Sequence, residues 1–164
     1  HPTPPVFDGV EDQNGRRNFD EIRLWADYIA GGDRAAYLVD DQGRRGGLAP
    51  EASFVILGDL NADPVKGERA YGRAAIDQLL KLPRVQDPQP RRPGIAEAPG
   101  PQSSELFKTA DFGRLDYVLP SADLRVVAAG VFWPQPGDPL HRLVADPDPS
   151  SDHRLVWVDI ALGP

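Results

Sequence analysis

A chain of 164 residues, 40% hydrophobic and 26% charged, is the size of one globular domain that buries roughly 70% of its unfolded surface. The absence of cysteine excludes disulfides, thiolate metal sites and a cysteine nucleophile. A formal charge of −7 argues against a protein that grips long duplex DNA, because every phosphate contact asks for Lys or Arg. No apolar run approaches the ~20 residues of a membrane span, and no charged segment followed by an apolar one marks a signal peptide. The compartment stays open.

Residues 1–18 are turn-rich and read as a loop. Asn18 followed by Glu21 resembles a capping box, predicting a helix over 19–30 with Ile22, Trp25, Ala26 and Ile29 as its apolar stripe and Gly31-Gly32 as its stop. Residues 33–50 are polar and glycine-rich, a second loop. Ser53–Leu57 (SFVIL) reads as a strand buried on both faces. After the polar turn Asp59–Pro64, a helix is expected over 68–81 with Tyr71, Ala75, Ile76, Leu79 and Leu80 inward. The stretch 83–104 holds six prolines without periodicity and is expected to be a long, mobile surface loop. Strands are predicted around 106–110, at 114–119, at 124–133 and at 154–161, with a short helical piece at 140–145. The mixture suggests an α/β layered domain with helices on one face of the sheet.

Three short motifs carry chemistry. In Gly58-Asp59-Leu60-Asn61, side chains two apart project the same way from the mouth of a strand. A carboxylate beside a carboxamide suits an attacking water next to a phosphate oxygen, although the same residues are common turn formers. In Arg114-Leu115-Asp116-Tyr117, an Asp between Leu and Tyr is costly to bury unless paired, either with an Arg or with a His whose ring it orients. Ser151-Asp152-His153, at the entrance of the last strand, offers one carboxylate and one imidazole to a single cleft.

The order of these motifs, with the long irregular loop between the first and second, resembles the endonuclease/exonuclease/phosphatase superfamily, which includes DNase I-like nucleases. The start, His1-Pro2-Thr3, resembles the place where a strand of that family delivers another active-site His. The resemblance implies an α/β (α+β) fold: the C-terminal part of a four-layer α/β/β/α sandwich, with a mainly antiparallel sheet and helices on one face, residues 1–164 forming one partial domain. It further implies a divalent-metal-dependent phosphoesterase. Asp59 would orient or deprotonate the attacking water and Asn61 would hold a non-bridging phosphate oxygen. Asp152 would sit on or beside Mg²⁺ or Mn²⁺. His153 would contact the phosphoryl group with Asp116 fixing its tautomer, and His1 would lie near the leaving oxygen. Oxygen-rich ligands without Cys suit a hard cation.

The family's early Asn and metal-binding Glu have no counterpart here: Glu11, Glu21, Glu51, Glu68, Glu97 and Glu105 fall in loops or helices. The chain is therefore expected to lack the first half of the fold, to be weakly active alone, and to expose an apolar sheet face that favours the missing half or a second copy of the chain. The substrate, a small phosphoester or a nucleic acid, is left open. Two alternatives stand beside the phosphoesterase: a nuclease whose DNA-binding surface lies on the missing half, and a catalytically silent binding module.

Overall fold

The computed structural model describes residues 1–95 and 105–162. Helix α1 spans Gln13–Ala30, beginning six residues before the sequence-based start at residue 19. The expected capping box does not form. Asp12, in the left-handed region at φ 53, precedes the first turn, and Asn18 lies inside the helix with its side chain buried. Phe19, Ile22, Ala26 and Ile29 form the buried stripe, whereas Trp25 stays nearly half exposed. Gly31, at φ 67, ends the helix in a conformation that costs a residue without Cβ little.

The expected helix over 68–81 shrinks to one turn, α2, Asp77–Leu80. Gly72, at φ 76, turns the chain out of helical geometry just before it. Bonds from Asp77, Gln78 and Leu79 N–H back to the third preceding carbonyl make Ala74–Leu79 a tight 3-10 entry. The apolar spacing still works, because Ala75, Ile76 and Leu79 are buried. Tyr71 is mostly exposed and meets Phe19 edge-on, with ring centroids 4.9 Å apart.

Among the described residues the strands form two two-stranded antiparallel sheets, where one sheet was expected. Strand β1 (Val55–Asp59) pairs with β2 (Asp116–Pro120), and β3 (Arg125–Val131) pairs with β4 (Val156–Ala161). β2 runs close to β4 without a ladder between them. Residues 106–110 do not form a strand: Ala110 makes only isolated bridges to Gly113 and His153. Residues His141–Leu143 form a 3-10 turn, as the short helical pattern suggested.

β1 is not buried on both faces. Ile56 packs against the core formed by α1, α2, Tyr117 and Leu119, while Leu57 is 69% exposed. Side chains alternate along a strand, so Asp59 shares the outer face with Leu57, away from the helices. Val127 and Leu155 are likewise exposed on the β3–β4 side.

One connection is better anchored than its proline content suggests. In the described part of the 83–104 stretch, the Arg84 guanidinium donates to the carbonyls of Ile29, Ala49 and Ala52 at 2.6, 3.0 and 3.0 Å. Gln86 donates to Ser121 and Leu124, so residues 83–95 are anchored where a mobile loop was expected. Residues 96–104 lie outside the described part. The buried Arg114 guanidinium grips Asp87 through two bonds of 2.7 and 2.6 Å and lies over the Tyr117 ring. Removing one partner of such a buried pair strands the other charge and costs about 3–5 kcal/mol. Asp87→Ala is therefore expected to lower the unfolding free energy by that amount in a denaturant titration, and a change below about 1 kcal/mol would show that the pair is not held in low dielectric.

Candidate active site

The register of β1 and β2 places Asp59 directly opposite Asp116. Like charges across a strand pair repel, so two carboxylates at this position need compensation, and the surrounding residues supply it. Asp59 Oδ1 accepts the Asn61 backbone N–H at 2.7 Å, and His1 Nε2 lies 3.3 Å from Asp59 Oδ2. Asn61 stands at φ 49, a left-handed conformation that Asn tolerates better than most residues. Its amide donates to the Pro2 carbonyl at 3.1 Å, tying the start of the chain to the end of β1.

Asp116 is matched by Thr109 and His153. The fully buried Thr109 hydroxyl accepts the N–H groups of Leu115 and Asp116, each at 3.0 Å. Its own proton therefore goes to Asp116 Oδ2, 2.8 Å away. His153 Nδ1 lies 2.9 and 3.0 Å from Asp116 Oδ2 and Oδ1. A carboxylate only accepts, so Nδ1 carries the hydrogen and Nε2 is not engaged by Asp116. His153 reaches Asp116 because its segment crosses the 109–113 turn, with Arg154 N–H donating to Thr109 O at 2.8 Å.

The electrostatics follow from this packing. Burial pushes the Asp116 carboxyl up, the bonds from Thr109 and His153 pull it down, and the charge of Asp59 adds to the upward side; the net direction is up. For His153, partial burial works against the charged form, but the bond and charge of Asp116, with Asp59 and Asp152 beyond, raise it above the usual histidine value.

Asp59, Asp116 and His153 each offer one ligand atom, and these atoms lie within 4.8 Å of one another. The two carboxylates suit a divalent cation, since Mg²⁺ commonly takes one or two protein carboxylates and keeps several waters. Asp152, the residue expected at the metal, is exposed beside this cluster and not part of it.

A model of the endonuclease/exonuclease/phosphatase family matches residues 2–153. The chain belongs to this family. No curated protein and no solved structure matches it. The family comprises hydrolases of phosphate esters, and the match spans G-D-L-N, R-L-D-Y and S-D-H, the three motifs whose side chains meet at the β1–β2 end. His1 lies just outside the matched residues, yet in contact with Asp59.

Two contributors escaped sequence reasoning. Thr109 lies in a stretch that reads as an apolar strand, and nothing in its neighbours signals a hydroxyl aimed at Asp116. Asn18 passed as a helix cap although it is a buried tie. Asp63, the last acidic residue of the DLNADP turn, is structural: its two oxygens accept N–H groups of Val65 and Lys66 on one side and of Arg114 on the other. Gly113, at φ 155, allows the last of these bonds, because a Cβ there would strike Asp63 Oδ2.

Proposed function

We propose that the chain is a divalent-metal-dependent phosphoesterase that cleaves a phosphodiester or phosphomonoester by in-line attack of water. The observation that carries this reading is the His153–Asp116 couple, 2.9 Å apart, facing Asp59 across the β1–β2 register. It joins an imidazole favoured in its charged form to a carboxylate pair suited to a water and a cation.

In this reading Asp59 orients the water and takes its proton as the new O–P bond forms. Asn61 keeps the amide hydrogen not used by Pro2 for a non-bridging phosphate oxygen. An in-line displacement puts the entering and leaving oxygens on opposite sides of phosphorus. His1, in contact with Asp59, belongs with the entering water rather than with the leaving oxygen. His153 then faces the phosphoryl group from Nε2 and returns a proton to the leaving oxygen as the P–O bond breaks, while Asp116 holds its tautomer. Asp59 and Asp116 would hold Mg²⁺ or Mn²⁺, with Asp152 as a third carboxylate at the rim. Such a cation neutralises charge developing on the phosphate oxygens.

No glutamate stands in the cluster among the described residues, so few protein oxygens fix the cation, and hydrolysis by the chain alone is expected to be weak. The test is turnover of bis-p-nitrophenyl phosphate with Mg²⁺ or Mn²⁺, before and after chelation. EDTA should abolish turnover and added metal should restore it. Turnover indifferent to both EDTA and His153→Ala would overturn the reading.

A further inference from the structure

Asn14, Asn18 and Glu21 are spaced along α1 so that they share one face, and all three bind the segment that leads away from His1. Asn14 Nδ2 donates to Val6 O at 2.7 Å. The Glu21 carboxylate accepts the Thr3 N–H at 2.6 Å and its hydroxyl at 3.2 Å. Asn18 donates to Thr3 O at 2.9 Å.

Asn18 differs from the other two in burial and reach. It is only 1% exposed, and its amide also donates to Leu60 O at 3.1 Å. Thr3 lies two residues after His1, and Leu60 follows Asp59 directly. One buried carboxamide therefore cross-links the two backbone segments whose side chains meet at His1 Nε2 and Asp59 Oδ2, 3.3 Å apart. An apolar residue would pack more cheaply at this point of a core-facing helix, since a buried polar group costs stability unless fully bonded. Asn18 Oδ1 has no hydrogen-bond partner among the described residues. The amide is thus present at a cost to the fold, and its two hydrogens serve the segments that carry the site.

We propose that Asn18 is a positioning residue that sets His1 against Asp59. This rests on reading His1 and Asp59 as parts of one phosphoester site. A second tie exists, from Asn61 to Pro2 O at 3.1 Å, but Asn61 is less buried than Asn18 and reaches only one carbonyl of that segment. Without Asn18, the Thr3 and Leu60 carbonyls lose their common donor, and among the described residues only the Asn61–Pro2 bond still joins the two segments directly, besides the His1–Asp59 contact itself.

The test reads the His1–Asp59 contact directly, without turnover. In proton–carbon correlation spectra of the full chain, Asp59→Asn should move the His1 ring signals. In an Asn18→Leu background the same substitution should leave them where they are, while Asp116→Asn moves the His153 signals equally in both backgrounds. Asn18→Ser, whose smaller side chain leaves room for a water, serves as the second variant if the leucine does not fold. An equal His1 response in both backgrounds, or none in the parent, would overturn the proposal. Turnover supplies a separate readout: Asn18→Leu should lose on the order of 10²-fold, as expected for a displaced reacting group, with little change in KM. The Asn18→Leu/His1→Ala pair should be no slower than His1→Ala alone, whereas a purely structural role would make the losses add. If turnover proves independent of metal and of His153, the phosphoesterase reading fails while the spectral result still decides the role of Asn18.

Discussion

Replacing His153 with alanine is expected to lower metal-dependent hydrolysis of bis-p-nitrophenyl phosphate on the order of 10²-fold or more, the scale for removing a positioned proton donor. The ring is held by Asp116 through Nδ1 at 2.9 Å, which fixes its tautomer and leaves Nε2 for the phosphoryl group in the proposed reaction. Asp59→Asn should cost a similar factor, because an amide cannot take the proton of the attacking water. Lys66→Ala is the control: Lys66 is half exposed and stands 3.9 Å from Glu105, a surface pair worth about 0–1 kcal/mol, and turnover should barely change. Equal and small losses in all three variants would dissociate the site from the chemistry.

Asp116→Asn is expected to cost on the order of 10²-fold or more as well, and to do so with a change in pH profile. In the parent, Asp116 raises His153 above its usual value against the effect of burial. A step that needs the imidazolium is then retained below the raised value and lost as pH climbs through it, so the alkaline limb should lie above the ordinary histidine range near ~6.5. Removing the carboxylate leaves burial opposed only by the charges of Asp59 and Asp152 and should move that limb to lower pH. Stability has the same sign for this group. The His153 contribution is fully present below the unfolded value of about 6.5 and disappears as pH rises through the folded one. A limb that stays in place in Asp116→Asn would mean that the profile belongs to another group.

Much of the site was legible because its motifs are short and local. G-D-L-N sits at a strand end and S-D-H at a strand entrance, where side chains emerge into a cleft whatever the details of packing. Asp116 was legible for a different reason: an acid between Leu and Tyr needs a partner, and the choice between Arg and His was all that stayed open. The structure resolves it toward His153 and gives Arg114 to Asp87 instead. Thr109 could not be read in this way, since its partner is seven residues away across a turn whose closure depends on Gly113 and Ala110. Asn18 misled because the N-cap pattern is shared by any Asn that precedes a Glu by three residues. Only the backbone that surrounds it shows that the helix has already begun.

The sequence by itself determined the Ile22, Ala26 and Ile29 stripe of α1, the approximate strand positions flanking the three motifs and the residue types gathered at the candidate site, all of which follow from periodicity and local chemistry. Tertiary structure decided the rest. The helix over 68–81 contracted to Asp77–Leu80 because left-handed Gly72 interrupts it. The expected single sheet became two ribbons, because β2 and β4 come close without exchanging ladder bonds. The contact between His1 and Asp59 arises from hydrogen bonds to Thr3, Leu60 and Pro2, between groups some 40 to 60 residues apart in the chain for the longest of them. Such bonds depend on how far one backbone segment stands from another, a distance set by packing and carried by no local pattern.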